Sequence, residues 1–206
     1  MSPARARSFP LTPHRVLLVR HGATEWSRSG RHTGRTDLPL LAEGETEARG
    51  LHSKLSALLG GRRPGLVLSS PLSRAVETCR LAGFGDEMEV VEALSEWDYG
   101  VYEGRTTDQI RADRPGWELF RDGCPGGESL TEVAGRVGPL IERLRADAAL
   151  DGAPVLVFAH GHVLRVMTAL WAAFGAEAGR ALPFETGKVG VLGWSHTDPA
   201  LVAWNL

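Results

Sequence analysis

The feature that most constrains the fold of this chain is a set of short apolar runs without polar alternation. Residues 16–19, 66–68 and 155–158 each read as consecutive aliphatic or aromatic side chains. A strand with one solvated face alternates apolar and polar residues, whereas a strand covered on both faces reads as a continuous apolar run. We therefore expect a parallel sheet between helical layers. Runs at 189–194 and 201–204 are predicted to continue the sheet, the second as an edge strand.

Helical periodicity fills the intervals between these runs. Apolar residues recur at helical spacing in residues 43–59, 129–148 and 163–174. Ser70 followed by Pro71 combines a cap residue with a first-turn proline, which predicts another helix start. The alternation predicts a three-layer α/β/α fold with a mostly parallel central sheet and right-handed crossovers.

Length, charge and cysteine usage exclude several classes of protein. We assign residues 14–206 to one domain and interpret residues 1–13 as a flexible leader, with an organelle-targeting peptide as the alternative. A formal net charge of -2 gives no electrostatic case for nucleic acid or an anionic membrane as partner. No apolar run reaches the roughly 18 residues that a membrane helix needs. Cys79 and Cys124 have no metal-ligand or disulfide-framework spacing, which favours a cytoplasmic location.

Histidine or arginine follows each of the three apolar runs. The first run ends in Arg20-His21, the second leads into Arg74, and the third ends before His160. Ligands of open α/β sheets bind beyond the carboxyl ends of the strands, where parallel strands end at one edge. A single histidine after a strand is more often structural or solvated, but the repetition predicts that these four side chains surround one crevice.

Such a crevice favours phosphate as its ligand. The planar fork of arginine matches phosphate oxygens, and a helix start at Ser70 would add oriented N–H groups. The arginine charges disfavour an imidazolium, so we expect the pKa of His21 to be lowered and the ring to be a neutral nucleophile. A covalent phosphohistidine then needs no cofactor. A metal site at His21, His160 and His162 is disfavoured because the arginines repel a dication.

A leaving alkoxide needs a proton donor, and the acidic loop after residue 94 offers three. Glu96 is the first, because aromatic neighbours could desolvate its carboxyl and raise its pKa. Asp98 and Glu103 are alternatives. A solvated acidic loop explains any one of these carboxylates equally well.

Four motifs, taken together, are similar to those of a known family. In order and spacing they resemble the histidine phosphatase superfamily, the phosphoglycerate-mutase-like proteins, over residues 16–195. The motifs are LVRHGATEW at 18–26, SSPLSRA at 69–75, LSE at 94–96 with GVYEG at 100–104, and AHGH at 159–162.

The resemblance implies a role for each matched residue. His21 would be the phosphorylated nucleophile, with Arg20, Arg74 and His160 holding the phosphoryl oxygens. Glu96 falls on the position of the proton donor. No metal or cofactor is implied.

The substrate-side positions are less uniform. Ser27 departs from the family, in which many members have Asn, and a hydroxyl donates only one hydrogen bond. Thr33 and Gly34 are expected to offer a hydroxyl and N–H groups to substrate or phosphate. Gly161 is assigned to the phosphate site, and it stands where the acid-phosphatase branch has Asp, which disfavours that branch. Solvated loop charge is an equal alternative for Arg31, His32 and Arg35.

The resemblance implies a phosphatase that hydrolyses a small phosphomonoester. Trp26-Ser27 together with residues 32–37 also resembles a sub-branch of sugar-phosphate phosphatases such as sedoheptulose bisphosphatase-like enzymes. Mutases of the family must exclude water, and they usually carry a large insertion before the second histidine and a covering C-terminal tail. Only 63 residues separate Glu96 from His160, and little chain follows the last strand, which favours the phosphatase.

Two alternatives remain open at this stage: a cofactor-dependent phosphoglycerate mutase and a non-catalytic module that binds a phosphorylated ligand. The expected partner is a small phosphorylated metabolite. An exposed edge strand is also compatible with a homodimer.

Overall fold

A computed structural model describes residues 15–146 and 152–206 of the chain. The predicted leader, residues 1–13, lies outside these ranges. No helix among the described residues has the length and apolar character needed to cross a membrane.

The centre of the molecule is a six-stranded mixed sheet in the order β3-β2-β4-β1-β5-β6. Parallel pairs join β1 to β4, β4 to β2 and β2 to β3, while β5 is antiparallel to both β1 and β6. The prediction of a mostly parallel sheet is therefore confirmed, and every predicted run is a strand. The strands are Val16–Arg20 (β1), Leu66–Ser69 (β2), Met88–Val90 (β3), Val155–Ala159 (β4), Val189–Ser195 (β5) and Asp198–Ala203 (β6).

Seven α-helices surround the sheet in the described part of the chain. They are Glu25–Arg28 (α1), Ala42–Leu59 (α2), Ser73–Leu81 (α3), Thr107–Asp113 (α4), Leu119–Asp122 (α5), Leu130–Ala146 (α6) and Gly161–Trp171 (α7). The α7 helix begins two residues before its predicted start and ends three residues early. Residues 147 and 148, predicted to end α6, lie outside the described ranges.

Both faces of the sheet are buried, as the apolar runs predicted. Leu17 and Val19 of β1 belong to a core cluster with Leu51 and Leu55 of α2. Leu18, between them, belongs to the opposite cluster, which is built mainly with α6 and α7. All three β1 side chains are fully buried. Alternate residues of one strand therefore fill two different cores, which leaves no position for a polar side chain.

The predicted start of α3 is wrong. The helix begins at Ser73 with Leu72 at its N-cap, and no side chain caps it from that position. Ser70 does not act as the cap, because its hydroxyl hydrogen bonds His160 in the core. The Ser73 N–H instead donates to Asp37 Oδ1 at 2.9 Å. The first N–H of this helix is thus satisfied by a carboxylate of the protein.

The segment 95–128 is largely a packed part of the core. It contains the short helices α4 and α5, and its aromatic side chains Trp97, Tyr99 and Trp117 are at most 2% exposed. Thr106 caps α4 through a reciprocal pair of bonds with Gln109. These aromatic residues therefore belong to the core of the domain.

The loop that follows β1 lies directly on the first turns of α2. A Cβ atom built on Gly44 would stand 2.2 Å from the carbonyl oxygen of Ala23. Gly22 makes the same close approach to the backbone of Gly44. The two backbones can come this close only because neither position carries a side chain.

We expect Gly44→Ala to destabilise the protein by about 1–3 kcal/mol, because its methyl group would overlap the Ala23 backbone. Gly50, on the same helix, is the matched control, since a Cβ there meets nothing within 4 Å. Gly50→Ala should stabilise by roughly 0.5–1 kcal/mol through helix propensity. Urea unfolding of both variants measures the contrast. Equal effects of the two substitutions would show that the close approach is not a constraint.

Candidate active site

The residues predicted from the strand ends lie together at the carboxyl edge of the sheet. The rings of His21 and His160 are 5.1 Å apart, and Arg74 Nε is 3.1 Å from His160 Nδ1. A cavity of about 190 Å³ at this edge, the nucleophile cavity, is lined by Arg20, His21, Glu96 and residues 30–33, among others. The structure therefore brings the predicted histidines, arginines and acid to one place.

One tautomer of His21 follows from its hydrogen bond. Nδ1 lies 2.7 Å from the Gly22 carbonyl oxygen, which can only accept, so Nδ1 carries the proton. In the neutral ring Nε2 then holds the lone pair. The loop that carries the ring is itself held, because the Gly22 N–H donates to Thr78 Oγ1 and the Ala23 N–H donates to Glu47 Oε2.

His21 is kept neutral chiefly by burial. Its side chain is 4% exposed, and this burial lowers its pKa well below the ordinary value, with the charges of Arg74 and Arg20 as further causes. The sequence predicted the direction from the arginines alone. The larger cause, burial, could not be read without the fold.

His160 is also neutral and has a defined tautomer. Arg74 Nε donates to its Nδ1, so the ring proton lies on Nε2, which donates to Ser70 Oγ at 2.7 Å. Burial, followed by the charge of Arg74, lowers the pKa of His160 well below its usual range. Ser70 Oγ lies at the end of this chain of donors and also accepts from the Leu72 N–H.

Arg74 is a fully buried guanidinium that makes four hydrogen bonds within the protein. Besides His160, its partners are the main-chain carbonyls of Thr33, Gly34 and Thr36, at 3.0–3.2 Å. Four of the five N–H groups of this arginine are thus used within the protein, and its Nη1 also lies 4.0 Å from Asp37 Oδ1. The structure thus gives Arg74 a second task that the sequence did not reveal, which is to hold the 33–36 loop beside His160.

Arg20 has more donors available than Arg74. Its Nη1 donates to the Phe184 carbonyl, while its buried Nε has no partner among the described residues. The guanidinium lies against Gly161, where a Cβ would stand 3.3 Å from Arg20 Cζ. Burial lowers the pKa of Arg20, and the carboxylate of Glu96 opposes this. An orphaned buried donor beside the nucleophile is what an absent oxyanion ligand would satisfy.

Glu96 reaches the nucleophile cavity while both its oxygens are held by backbone donors. Oε1 accepts from the N–H groups of Trp97 and Val163, and Oε2 accepts from the N–H of His162, each at 2.9 Å. The last two donors belong to the first turn of α7, whose positive end favours a carboxylate. The helix that follows His160 therefore also positions the acid.

The two alternative acids have structural partners instead. Glu103 accepts from the N–H groups of Gly34 and Thr36 and so holds the 33–36 loop from the side opposite Arg74. Asp98 pairs with Arg35 and accepts from the Gly100 N–H. Of the three acids, only Glu96 lines the nucleophile cavity.

A bidentate ion pair behind Glu96 was not predicted from the sequence. Arg136 Nε and Nη2 bond the two carboxylate oxygens of Glu128 at 2.7 and 3.0 Å. The same guanidinium donates to the main-chain carbonyls of Ala93 and Glu96. This pair fixes the backbone of the acidic loop, so the carboxyl of Glu96 starts from a defined position.

The predicted substrate-binding residues are mostly engaged with the protein. The Ser27 hydroxyl bonds the backbone of Thr24 as part of the cap of α1, although Ser27 lines the nucleophile cavity. The Gly34 N–H is taken by Glu103, and Thr33 Oγ1 donates to the Arg31 carbonyl. Gly161 makes room for Arg20. These bonds define the wall of the cavity but leave few free donors on it.

His162 and His32 are wall residues whose position the sequence did not settle. Tyr99 Oη and His162 Nδ1 are 2.7 Å apart, and the His32 ring lies 4.7 Å from that of Tyr99. Burial lowers the pKa of His32 to about 4 and that of His162 well below its ordinary value. Solvated loop charge is thus wrong for His32. The sequence signal that could have indicated the burial of His32 is its place, before Thr33, in a loop that packs against aromatic residues.

The comparisons with known proteins agree with this geometry. Residues 16–206 match the family model of the histidine phosphatase superfamily, branch 1. The chain belongs to this superfamily. The resemblance read from four motifs is confirmed over residues 16–206.

Several characterised relatives are similar along most of the chain. An acid phosphatase of Mycobacterium tuberculosis is 39% identical over 89% of this chain and 88% of the relative. Sedoheptulose 1,7-bisphosphatase of Saccharomyces cerevisiae is 34% identical over 81% and 70%, respectively. A 2,3-bisphosphoglycerate-dependent phosphoglycerate mutase of Parvibaculum lavamentivorans is 36% identical over 85% and 88%. The solved structure of a functionally characterised Mycobacterium tuberculosis open reading frame superimposes with a TM-score of 0.87, at 37% identity, covering 94% of this chain and 97% of that one.

Because the pKa of His32 is lowered in the folded protein, the free energy of unfolding depends on pH. Above about pH 6.5 the ring is neutral in both the folded and the unfolded chain. Between that pH and about 4 the unfolded chain binds a proton that the folded protein does not, so stability is lost as the pH falls.

Between pH 7.5 and 5.5 the free energy of unfolding should fall by about 1 kcal/mol more in the wild type than in His32→Asn, which has no titrating ring at this position. Urea unfolding at both pH values gives the difference. Thr107→Val is the control, because it removes the hydroxyl beside His32 Nε2 but keeps the titrating ring. An identical pH dependence in the wild type and His32→Asn would contradict the assignment.

Proposed function

We propose that the protein is a phosphatase that hydrolyses a small phosphomonoester, a sugar phosphate in particular, through a phosphohistidine at His21 Nε2. The observation that carries this proposal is a neutral His21 of defined tautomer beside Arg20, whose buried Nε has no partner in the described part of the chain. Membership of the superfamily supports the reaction type. The names of the relatives, acid phosphatase and sedoheptulose 1,7-bisphosphatase, support the substrate class.

In the first step His21 Nε2 attacks phosphorus, and the bond from phosphorus to the ester oxygen breaks. Arg20 and the guanidinium charge of Arg74, which is held in place by His160, stabilise the charge on the transferred phosphoryl oxygens. Protonated Glu96 gives its proton to the leaving alkoxide. The alcohol departs and His21 is left as a phosphoramidate.

In the second step water replaces the alcohol. The carboxylate of Glu96 accepts a proton from the water as its oxygen attacks phosphorus, and the bond from phosphorus to nitrogen breaks. Inorganic phosphate leaves, and both His21 and Glu96 return to their starting protonation states. The proton and the phosphoryl group balance without a metal or cofactor.

A phosphoglycerate mutase is the second candidate, since one of the similar relatives bears that name. A mutase returns the phosphoryl group to the substrate before water reaches it. Incubation with 3-phosphoglycerate and 2,3-bisphosphoglycerate separates the two. Rapid equilibration of the 2- and 3-isomers, faster than phosphate release, would favour the mutase.

We also propose a cytoplasmic location, supported by two free cysteines, Cys79 and Cys124, both buried as thiols.

His21→Asn should lower kcat/KM for p-nitrophenyl phosphate on the order of 10³-fold or more, because the nucleophile is lost. His52→Asn is the control, since His52 bonds the Ala82 carbonyl away from the site and should leave the rate unchanged. Radiolabelled substrate, quenched in alkaline detergent, should label the wild type but not His21→Asn. The phosphoramidate bond survives alkali and breaks in acid, which identifies the linkage.

An inactive wild type that binds phosphate tightly would support the non-catalytic binding module instead. An active wild type in which no alkali-stable label forms would reject the covalent intermediate but keep the phosphatase.

Glu96→Gln should lower kcat for hydrolysis of an alkyl phosphate such as glycerol 3-phosphate by roughly 10²–10⁴-fold, because the leaving alkoxide must be protonated. The loss for p-nitrophenyl phosphate should be much smaller, since nitrophenolate leaves without one. Steady-state kcat for the two substrates gives the comparison.

Glu103→Gln and Asp98→Asn are the matched controls for this leaving-group effect. Both carboxylates hold the loops around the site, so their loss should slow the two substrates to the same extent. A larger effect on the alkyl phosphate in one of these variants would move the proton donor to that residue.

A further inference from the structure

A second cavity adjoins the nucleophile cavity and is larger, about 530 Å³. The two cavities share His32 and His162 in their walls. We call the second one the distal cavity, and its volume lies within the range of small-molecule sites, roughly 300–1,000 Å³. The part of a substrate that does not react must extend out of the small nucleophile cavity. The distal cavity lies next to that cavity and offers space for this part.

Three arginines line the distal cavity: Arg111, Arg165 and Arg180. In residues 15–146 and 152–206, none of their guanidinium groups has a carboxylate within 4.0 Å. Glu118 is a carboxylate in the lining, and it lies 4.0 Å from Arg121, outside the cavity. The cavity therefore has an excess of positive charge that the described protein does not neutralise.

Two of these arginines are held in place by neutral partners. Arg165 donates to the carbonyls of Gly179 and Arg180 at 2.9 and 2.8 Å, and its Cζ lies 4.9 Å from the centre of the Phe120 ring. Arg111 Nε donates to the Trp117 carbonyl at 3.0 Å, which leaves both terminal amino groups available. Carbonyl partners fix the position of a guanidinium without cancelling its charge, which suits it to receive an anion.

The shared wall does not add charge to this arrangement. His32 and His162 are half-buried rings with lowered pKa values, packed against Tyr99, Trp117 and Phe120. The positive charge of the distal cavity therefore comes from its arginines. An apolar and aromatic wall lies between two cationic regions.

We infer that the distal cavity binds a second anionic group of the substrate, most simply the second phosphate of a small sugar bisphosphate, while the first phosphate reacts at His21. This inference rests on the proposed function and narrows its substrate class. A carboxylate at the far end of a phosphorylated acid shares the chemistry, and the experiment separates the two.

The test compares kcat/KM for fructose 1,6-bisphosphate with the values for fructose 1-phosphate and fructose 6-phosphate. The wild type should prefer the bisphosphate roughly ten- to a hundredfold over the better monophosphate, the range expected for hydrogen bonds to a charged group. A parallel pair, 3-phosphoglycerate and glycerol 3-phosphate, reports on a carboxylate. A preference only in this second pair would overturn the assignment of phosphate.

Arg180→Gln should lower the preference for the bisphosphate severalfold, and Arg111→Gln with Arg180→Gln should bring it close to one. The first variant changes an exposed side chain with no hydrogen bond among the described residues, so folding should not be affected. Arg143→Gln, an exposed arginine of α6 away from both cavities, is the control and should keep the wild-type preference. A preference that is unchanged, or an equal loss on all substrates, would overturn the distal site.

Binding separates failure of this site from failure of the proposed function. Calorimetry with the His21→Asn protein measures the Kd of fructose 1,6-bisphosphate without turnover. Adding Arg180→Gln should weaken that Kd severalfold, while phosphate alone should bind both proteins equally. A wild type that hydrolyses monophosphates but shows neither the preference nor this Kd change would retain the phosphatase and reject the distal site.

Discussion

The buried guanidinium of Arg74 is the interaction on which the site depends. It joins His160, at the end of β4, to the carbonyls of the 33–36 loop, and it extends from α3. A buried charge is costly unless it is hydrogen bonded, and four bonds satisfy it here. Glu103 holds the same loop through its N–H groups, so the loop is fixed by a donor on one side and an acceptor on the other. The position of this loop beside His160 is thus fixed by the protein's own hydrogen bonds.

Burial sets the protonation of the histidines at this framework. His21 and His160 lie in the protein interior with lowered pKa values, and each has one nitrogen committed by a bond, to the Gly22 carbonyl or to Arg74. His21 consequently keeps a lone pair on Nε2, whereas the Nε2–H of His160 donates to Ser70 Oγ. Two identical side chains thereby take opposite hydrogen-bonding roles, and the difference arises from the partner of each Nδ1.

The sheet could be predicted from the sequence because, in a chain of this size, continuous short apolar runs are compatible with few structures other than strands buried on both faces. It missed β3, which is only three residues long and largely exposed, so it leaves no apolar signal. At the site, residues placed by strand ends were predictable, since sheet topology alone brings them together. Residues placed by side-chain hydrogen bonds were not: Ser70 and His160 are 90 positions apart, and Arg136 and Glu128, eight positions apart, form no pattern that marks them as a pair. The predicted helix start at Ser70-Pro71 was wrong because the Ser70 hydroxyl hydrogen bonds His160 in the core instead of capping the helix.

The contact between Gly22 and Gly44 has a consequence for handling the protein. The loop that carries His21 rests on α2 through the main chain at Gly44 and through the side chain of Glu47. Its position is therefore insensitive to which side chains the outer surface of that helix carries. Gly50 and Ser53, both exposed, lie on this surface, on the opposite side of the helix from the buried Leu51 and Leu55. A dye, a surface attachment point or a cross-link placed there would leave the coordinates of His21 unchanged, which makes the outer face of α2 a natural anchor for immobilising the enzyme.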